Sequence, residues 1–89
     1  MALTRVRVYG FVQGVGFRYF VRQQATALGV SGVARNLPDG TVEILLEGKE
    51  EAVKMVIDAC RLGPPSASVS KIVVERLKDG GGFTGFRIE

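Results

Sequence analysis

Hydrophobic residues in this chain switch between a spacing of two and a spacing of about 3.6, and the order of the switches leaves few folds open. From Leu3 to Val12 the pattern alternates, with Val6, Val8 and Val12 on one face and Arg5, Arg7, Tyr9 and Phe11 on the other. That predicts a half-buried strand. Phe17, Phe20, Val21, Ala25 and Leu28 then fall on one helical stripe, and Gly29 stands where a helix C-cap is expected. Val30 to Arg35 predicts a second, short strand. The turn residues Pro38-Asp39-Gly40 separate it from a third, Thr41 to Glu47, in which Val42, Ile44 and Leu46 share a side.

Gly48 opens a second helix with Glu50 and Glu51 in its first turn, where the dipole favours acids. Val53, Val56, Ile57 and Cys60 form its core stripe, and Gly63-Pro64-Pro65 ends it. Ser68 to Leu77 is a fourth strand, Asp79-Gly80-Gly81-Gly82 a flexible turn, and a short last strand lies around Phe86 and Ile88. The order β-α-β-β-α-β plus a C-terminal strand predicts an α+β, ferredoxin-like split β-α-β sandwich. Right-handed crossovers put both helices on one face of an antiparallel sheet. Strands one and three are then central and strand two lies at an edge. The 89 residues are read as one domain, 1–89.

Several classes of chemistry are removed by what the chain lacks. With no histidine and a single cysteine on a core stripe, Ser-His or Cys-His catalysis and a zinc or haem site have no residues to use. No apolar run approaches the ~20 residues of a membrane span, so no membrane association is expected and the cytoplasm is the expected location.

The stretch Gly10-Phe11-Val12-Gln13-Gly14-Val15-Gly16-Phe17-Arg18 carries the first functional signal. A glycine-punctuated loop between a strand and a helix turns several backbone N–H groups into one concavity, which suits an oxyanion. Arg18 adds a planar fork of donors matched to phosphate or carboxylate. The stretch matches neither the dinucleotide fingerprint nor the P-loop. A strand-to-helix turn that needs glycine for its backbone angles is the structural alternative. Residues 1–40 contain five arginines, no lysine and one acid, Asp39, which concentrates positive charge around this loop.

Arg35-Asn36-Leu37-Pro38-Asp39-Gly40 is the second candidate. Its alternative is a plain hairpin turn, with Asn36 bonding nearby backbone. A different function class is an RNA-binding sheet face, on which Tyr9 and Phe11 stack bases beside Arg5 and Arg7. The third strand opposes it, offering Glu43 and Glu47 and no aromatic. Nucleic acid is therefore not an expected partner.

The runs GFVQGVGFR (10–18), GVARNLPDGTVEILLEG (32–48), GPPSASV (63–69) and GFRI (85–88) closely resemble the acylphosphatases, nearly from end to end. The resemblance implies hydrolysis of the carboxyl–phosphate bond of acyl phosphates, with inorganic phosphate as product and inhibitor and no metal or other cofactor. It places the catalytic arginine on Arg18, the catalytic asparagine on Asn36, and the phosphate cradle on the backbone of Gln13, Gly14, Val15, Gly16 and Phe17. Phe11 stands where the family commonly has a polar or basic residue, and Val33 where it commonly has an aromatic. A similar domain opens a carbamoyltransferase of hydrogenase maturation; a free-standing chain is read as the independent enzyme, and a monomer is expected.

Overall fold

The computed structural model describes residues 3–78 and 81–89, so the expected turn at Asp79-Gly80 lies outside the described residues. The elements follow the expected order: β1 (Leu3–Phe11), α1 (Phe17–Ala27), β2 (Ser31–Asn36), β3 (Val42–Glu47), α2 (Glu50–Leu62), β4 (Ser68–Leu77) and β5 (Phe86–Ile88). The sheet order is β4-β1-β3-β2-β5. β1 pairs antiparallel with both β3 and β4, and β2 antiparallel with β3.

The last strand departs from the expected all-antiparallel sheet. β5 pairs parallel to β2, with Gly32 opposite Phe86 and Ala34 opposite Ile88, so the sheet is mixed and β2 is not an edge. The reason is local: β2 would otherwise leave a row of unpaired backbone groups. β5 satisfies them and packs Phe86 against the core.

Alternation decides which side chains are buried. Val6, Val8, Val42, Ile44 and Leu46 line the helix-facing side of the sheet. Phe17, Val21 and Ala25 of α1, with Val53, Val56, Ile57 and Cys60 of α2, cover them. Burial pushes the Cys60 thiol up to about 12. Thiolate chemistry at neutral pH is thereby removed, and the residue acts as a small apolar filler.

The helix ends match their local chemistry. α1 stops in a Schellman arrangement, in which Val30 N–H donates to Ala25 O at 2.8 Å and Gly29 N–H to Thr26 O at 3.2 Å. At its other end Gly16 takes φ 77°, no side chain caps the first turn, and no acid stands there. Where β1 leaves the sheet its register with β4 shifts between Tyr9 and Gly10. A Cβ on Gly10 would lie 2.1 Å from Ser68 O, so only glycine fits this close approach.

Candidate active site

Strand direction explains how distant residues meet. β1 and β2 both run antiparallel to β3, hence parallel to each other, and β5 runs parallel to β2. The carboxyl ends of all three strands therefore lie at one end of the sheet. There the loop after β1, Asn36 at the end of β2 and Ile88 at the end of β5 form a cleft of about 140 Å³. Val12, Gly14, Gly16, Phe17, Arg18, Tyr19, Asn36 and Ile88 line it. Pockets that enclose a drug-sized ligand run to roughly 300–1,000 Å³. This one suits a small head group, with the rest of a ligand left outside.

Each side chain reaches the cleft for a sequence-level reason. Asn36 has the same parity along β2 as Gly32 and Ala34, so it shares the helix-facing side, where α1 begins. Arg35, of opposite parity, faces away and pairs with Glu43 at 3.4 Å and Glu89 at 3.2 Å. Arg18 sits in the first turn of α1, and its Nη1 donates to the backbone oxygen of Glu89 at 2.6 Å. That contact fixes one arm of the guanidinium and leaves its other donors available. Gly14 and Gly16 take φ of 76° and 77°, with open space where a Cβ would stand, so left-handed backbone and not crowding calls for glycine there.

Of the expected cradle, Gly14, Gly16 and Phe17 line the cleft, whereas Gln13 and Val15 do not. Val15 packs against the core. Gln13 does something the sequence did not reveal. Its Nε2 donates to Leu37 O at 2.8 Å and Thr41 O at 2.9 Å, tying the glycine loop to the hairpin that carries Asn36. Tyr19 and Ile88 were also missed. Tyr19 lies on the polar side of the α1 stripe, and the three residues of β5 are too few to show a period. Phe11 is 65% exposed, while Val33 is buried at 1% in the strand that presents Asn36.

The hairpin turn is held by Asp39 and not by Asn36. Asp39 Oδ1 accepts from Thr41 Oγ1 at 2.6 Å and from Thr41 N–H at 3.0 Å, and Oδ2 lies 3.8 Å from Arg7 Nη1. Asn36 Oδ1, by contrast, is buried without a hydrogen-bond partner among the described residues. An orphaned acceptor of this kind is rare and calls for an explanation.

The Thr41 hydroxyl, then the Thr41 N–H, hold the Asp39 carboxyl below its ordinary value, with Arg7 adding to the effect against a small burial penalty. A depressed folded-state value means stability that is present above the unfolded value, ~4, and lost as pH falls through the folded one. Asp39→Asn should therefore be less stable than the native chain to urea at about pH 7, with the gap narrowing as the pH falls below the unfolded value. A gap of unchanged size at the acid end would mean that shape and not charge sets the turn.

The open face of the sheet carries the residues weighed for RNA. Arg5 pairs with Glu75, Arg7 with Asp39, Arg35 with Glu43 and Glu89, and Lys71 lies 4.4 Å from the Tyr9 ring centroid. Cations matched in this way to carboxylates give no basic surface for a phosphate backbone.

Among the described residues no helix is long and apolar enough to cross a membrane. The family profile described as acylphosphatase matches residues 4–88. The acylphosphatase of Caldivirga maquilingensis is 51% identical over 86 residues, 96% of this chain and 90% of that protein. The acylphosphatase of Thermococcus kodakarensis is 46% identical over 85 residues, 96% of this chain and 92% of that protein. The crystal structure of acylphosphatase from Bacillus subtilis superposes with a TM-score of 0.96 at 40% identity, covering 100% of this chain and 99% of that one. With the fold, the glycine loop and near-complete coverage in agreement, the chain belongs to the acylphosphatase family of enzymes.

Proposed function

We propose that this enzyme hydrolyses acyl phosphates by direct attack of water on a phosphoryl group held between the glycine loop and Arg18, with Asn36 placing the water. What carries this reading is that Asn36 and Arg18 line one cleft, with Asn36 Oδ1 left without a hydrogen-bond partner among the described residues. A carboxamide oxygen accepts a hydrogen bond from water and thereby aims the water's lone pair. Backbone N–H groups of the cleft-lining Gly14, Gly16 and Phe17 and the free donors of Arg18 meet the equatorial phosphoryl oxygens, where charge must be neutralised.

Atoms and electrons balance without further groups. The water oxygen forms the new bond to phosphorus, and the bond from phosphorus to the acyl oxygen breaks. Its electron pair leaves with the carboxylate, and the water's proton passes to a phosphoryl oxygen. A carboxylate whose parent acid has a pKa of ~4 leaves without help from a general acid. That suits a chain without histidine.

Phosphate release from benzoyl phosphate, with a phosphate monoester as control, tests the reaction. Turnover of the first alone is expected, with inorganic phosphate as a competitive inhibitor. Exhaustive chelation with EDTA should leave the rate unchanged. A rate lost to EDTA and restored by Mg²⁺ would overturn the mechanism. We take the enzyme to be a cytoplasmic monomer, the latter checked by sedimentation at assay concentration.

A further inference from the structure

Six of the arginines in this chain have settled partners. Arg5, Arg7, Arg35, Arg61, Arg76 and Arg87 each lie within 3.8 Å of a side-chain carboxylate oxygen. Among the described residues the other two, Arg18 and Arg22, have no side-chain carboxylate partner; Arg18 donates instead to the backbone oxygen of Glu89. They are four positions apart on α1 and so lie on the same side of one helix, about 5–6 Å apart at Cβ. Arg22 is half-buried and lies with its Cζ 5.1 Å from the centroid of the Tyr19 ring. Tyr19 itself is 53% exposed and lines the cleft.

We infer that Tyr19 and Arg22 form an acyl-group subsite that selects acyl phosphates carrying a second, terminal carboxylate. This rests on the proposed hydrolysis and adds the class of substrate. In-line displacement sends the acyl group away from the water held at Asn36, and the small cleft leaves that group at its open rim. A guanidinium stacked on an aromatic ring is held by one face while its edge stays open for two parallel hydrogen bonds to a planar carboxylate. Tyr19 supplies the stacking surface, the aliphatic part of the acyl chain lies along it, and Arg22 takes the far end. The spacing of Arg18 and Arg22 suits a short diacid carrying phosphate at one end.

Succinyl phosphate and butyryl phosphate differ only in a terminal carboxylate against a methyl group, so the ratio of their kcat/KM values isolates the subsite. The native enzyme should favour succinyl phosphate. Arg22→Gln should lower the ratio about tenfold, mainly through the KM for succinyl phosphate, and Arg22→Lys should restore part of it, because a point charge keeps the attraction but not the fork. Because succinyl phosphate carries one more negative charge, a general weakening of anion attraction also lowers the ratio. Lys54→Gln removes the same charge from α2, away from the cleft, and should leave the ratio unmoved, whereas an equal fall in that variant overturns the subsite. Phosphate release from both substrates with a ratio unmoved in Arg22→Gln overturns the subsite and leaves the proposed hydrolysis standing. A native ratio at or below one does the same. Release from neither overturns both.

Discussion

Asn36→Ala is expected to lose at least two orders of magnitude in kcat, about 3 kcal/mol of transition-state stabilisation, while inorganic phosphate still binds. Hairpins often rely on asparagine to bond their own backbone, and a residue in that role would matter to folding instead. Here the turn is closed by Asp39 on Thr41 and by Gln13 on Leu37 and Thr41, and none of these bonds uses Asn36. Truncation removes a buried acceptor that has no partner among the described residues. An unpaired buried polar atom is a stability penalty of ~1–3 kcal/mol, so thermal unfolding of the alanine variant should be unchanged or slightly raised. Asn36→Asp keeps the shape but sets a negative charge against an anionic phosphoryl group, and should lose both turnover and phosphate affinity. Normal turnover per folded molecule in the alanine variant, with a lowered melting temperature, would return Asn36 to the status of a turn residue.

Replacing Arg18 by Ala or Gln should weaken inhibition by inorganic phosphate as well as turnover, since in the proposed mechanism the fork meets the phosphoryl group in ground and transition states alike. The expected loss in kcat/KM is about 2–4 kcal/mol, against about 0.5 kcal/mol for an ordinary surface arginine. Arg18→Lys is the more discriminating variant. One arm of the native guanidinium is fixed by the backbone oxygen of Glu89, which orients the rest of the fork. An ammonium group on a flexible stem cannot make that bond and present two parallel donors at once. Near-native kinetics in the lysine variant would remove the bidentate argument.

Long periodic elements were legible in the sequence because burial leaves a period in the chain. The α1 stripe of Phe17, Val21 and Ala25 and the α2 stripe of Val53, Val56, Ile57 and Cys60 are buried where the spacing put them. The alternation Val42, Ile44, Leu46 likewise faces the helices. The glycine loop drew attention to Arg18 and the family resemblance to Asn36, and the fold brings both to one cleft. The direction of β5 was not legible: three residues carry no period, and pairing with β2 is decided by which strand edge remains open. Gln13 was invisible for another reason. A side-chain bond to carbonyls 24 and 28 positions away depends on the meeting of two loops, which no local pattern records.

The convergence of three parallel strand ends has a consequence for how this molecule comes into being. Its core rests on β1 pairing with β4, which joins Leu3 to Leu77, and the cleft likewise joins Arg18 to Glu89 across 71 positions. Closing so long a loop is entropically slow relative to forming helices and hairpins. The sheet that buries the valines and the cleft walled by Ile88 therefore both wait on the last third of the chain, and in a domain this small they are expected to form together. Recovery of phosphate affinity on refolding should accordingly keep pace with the spectroscopic signal of sheet.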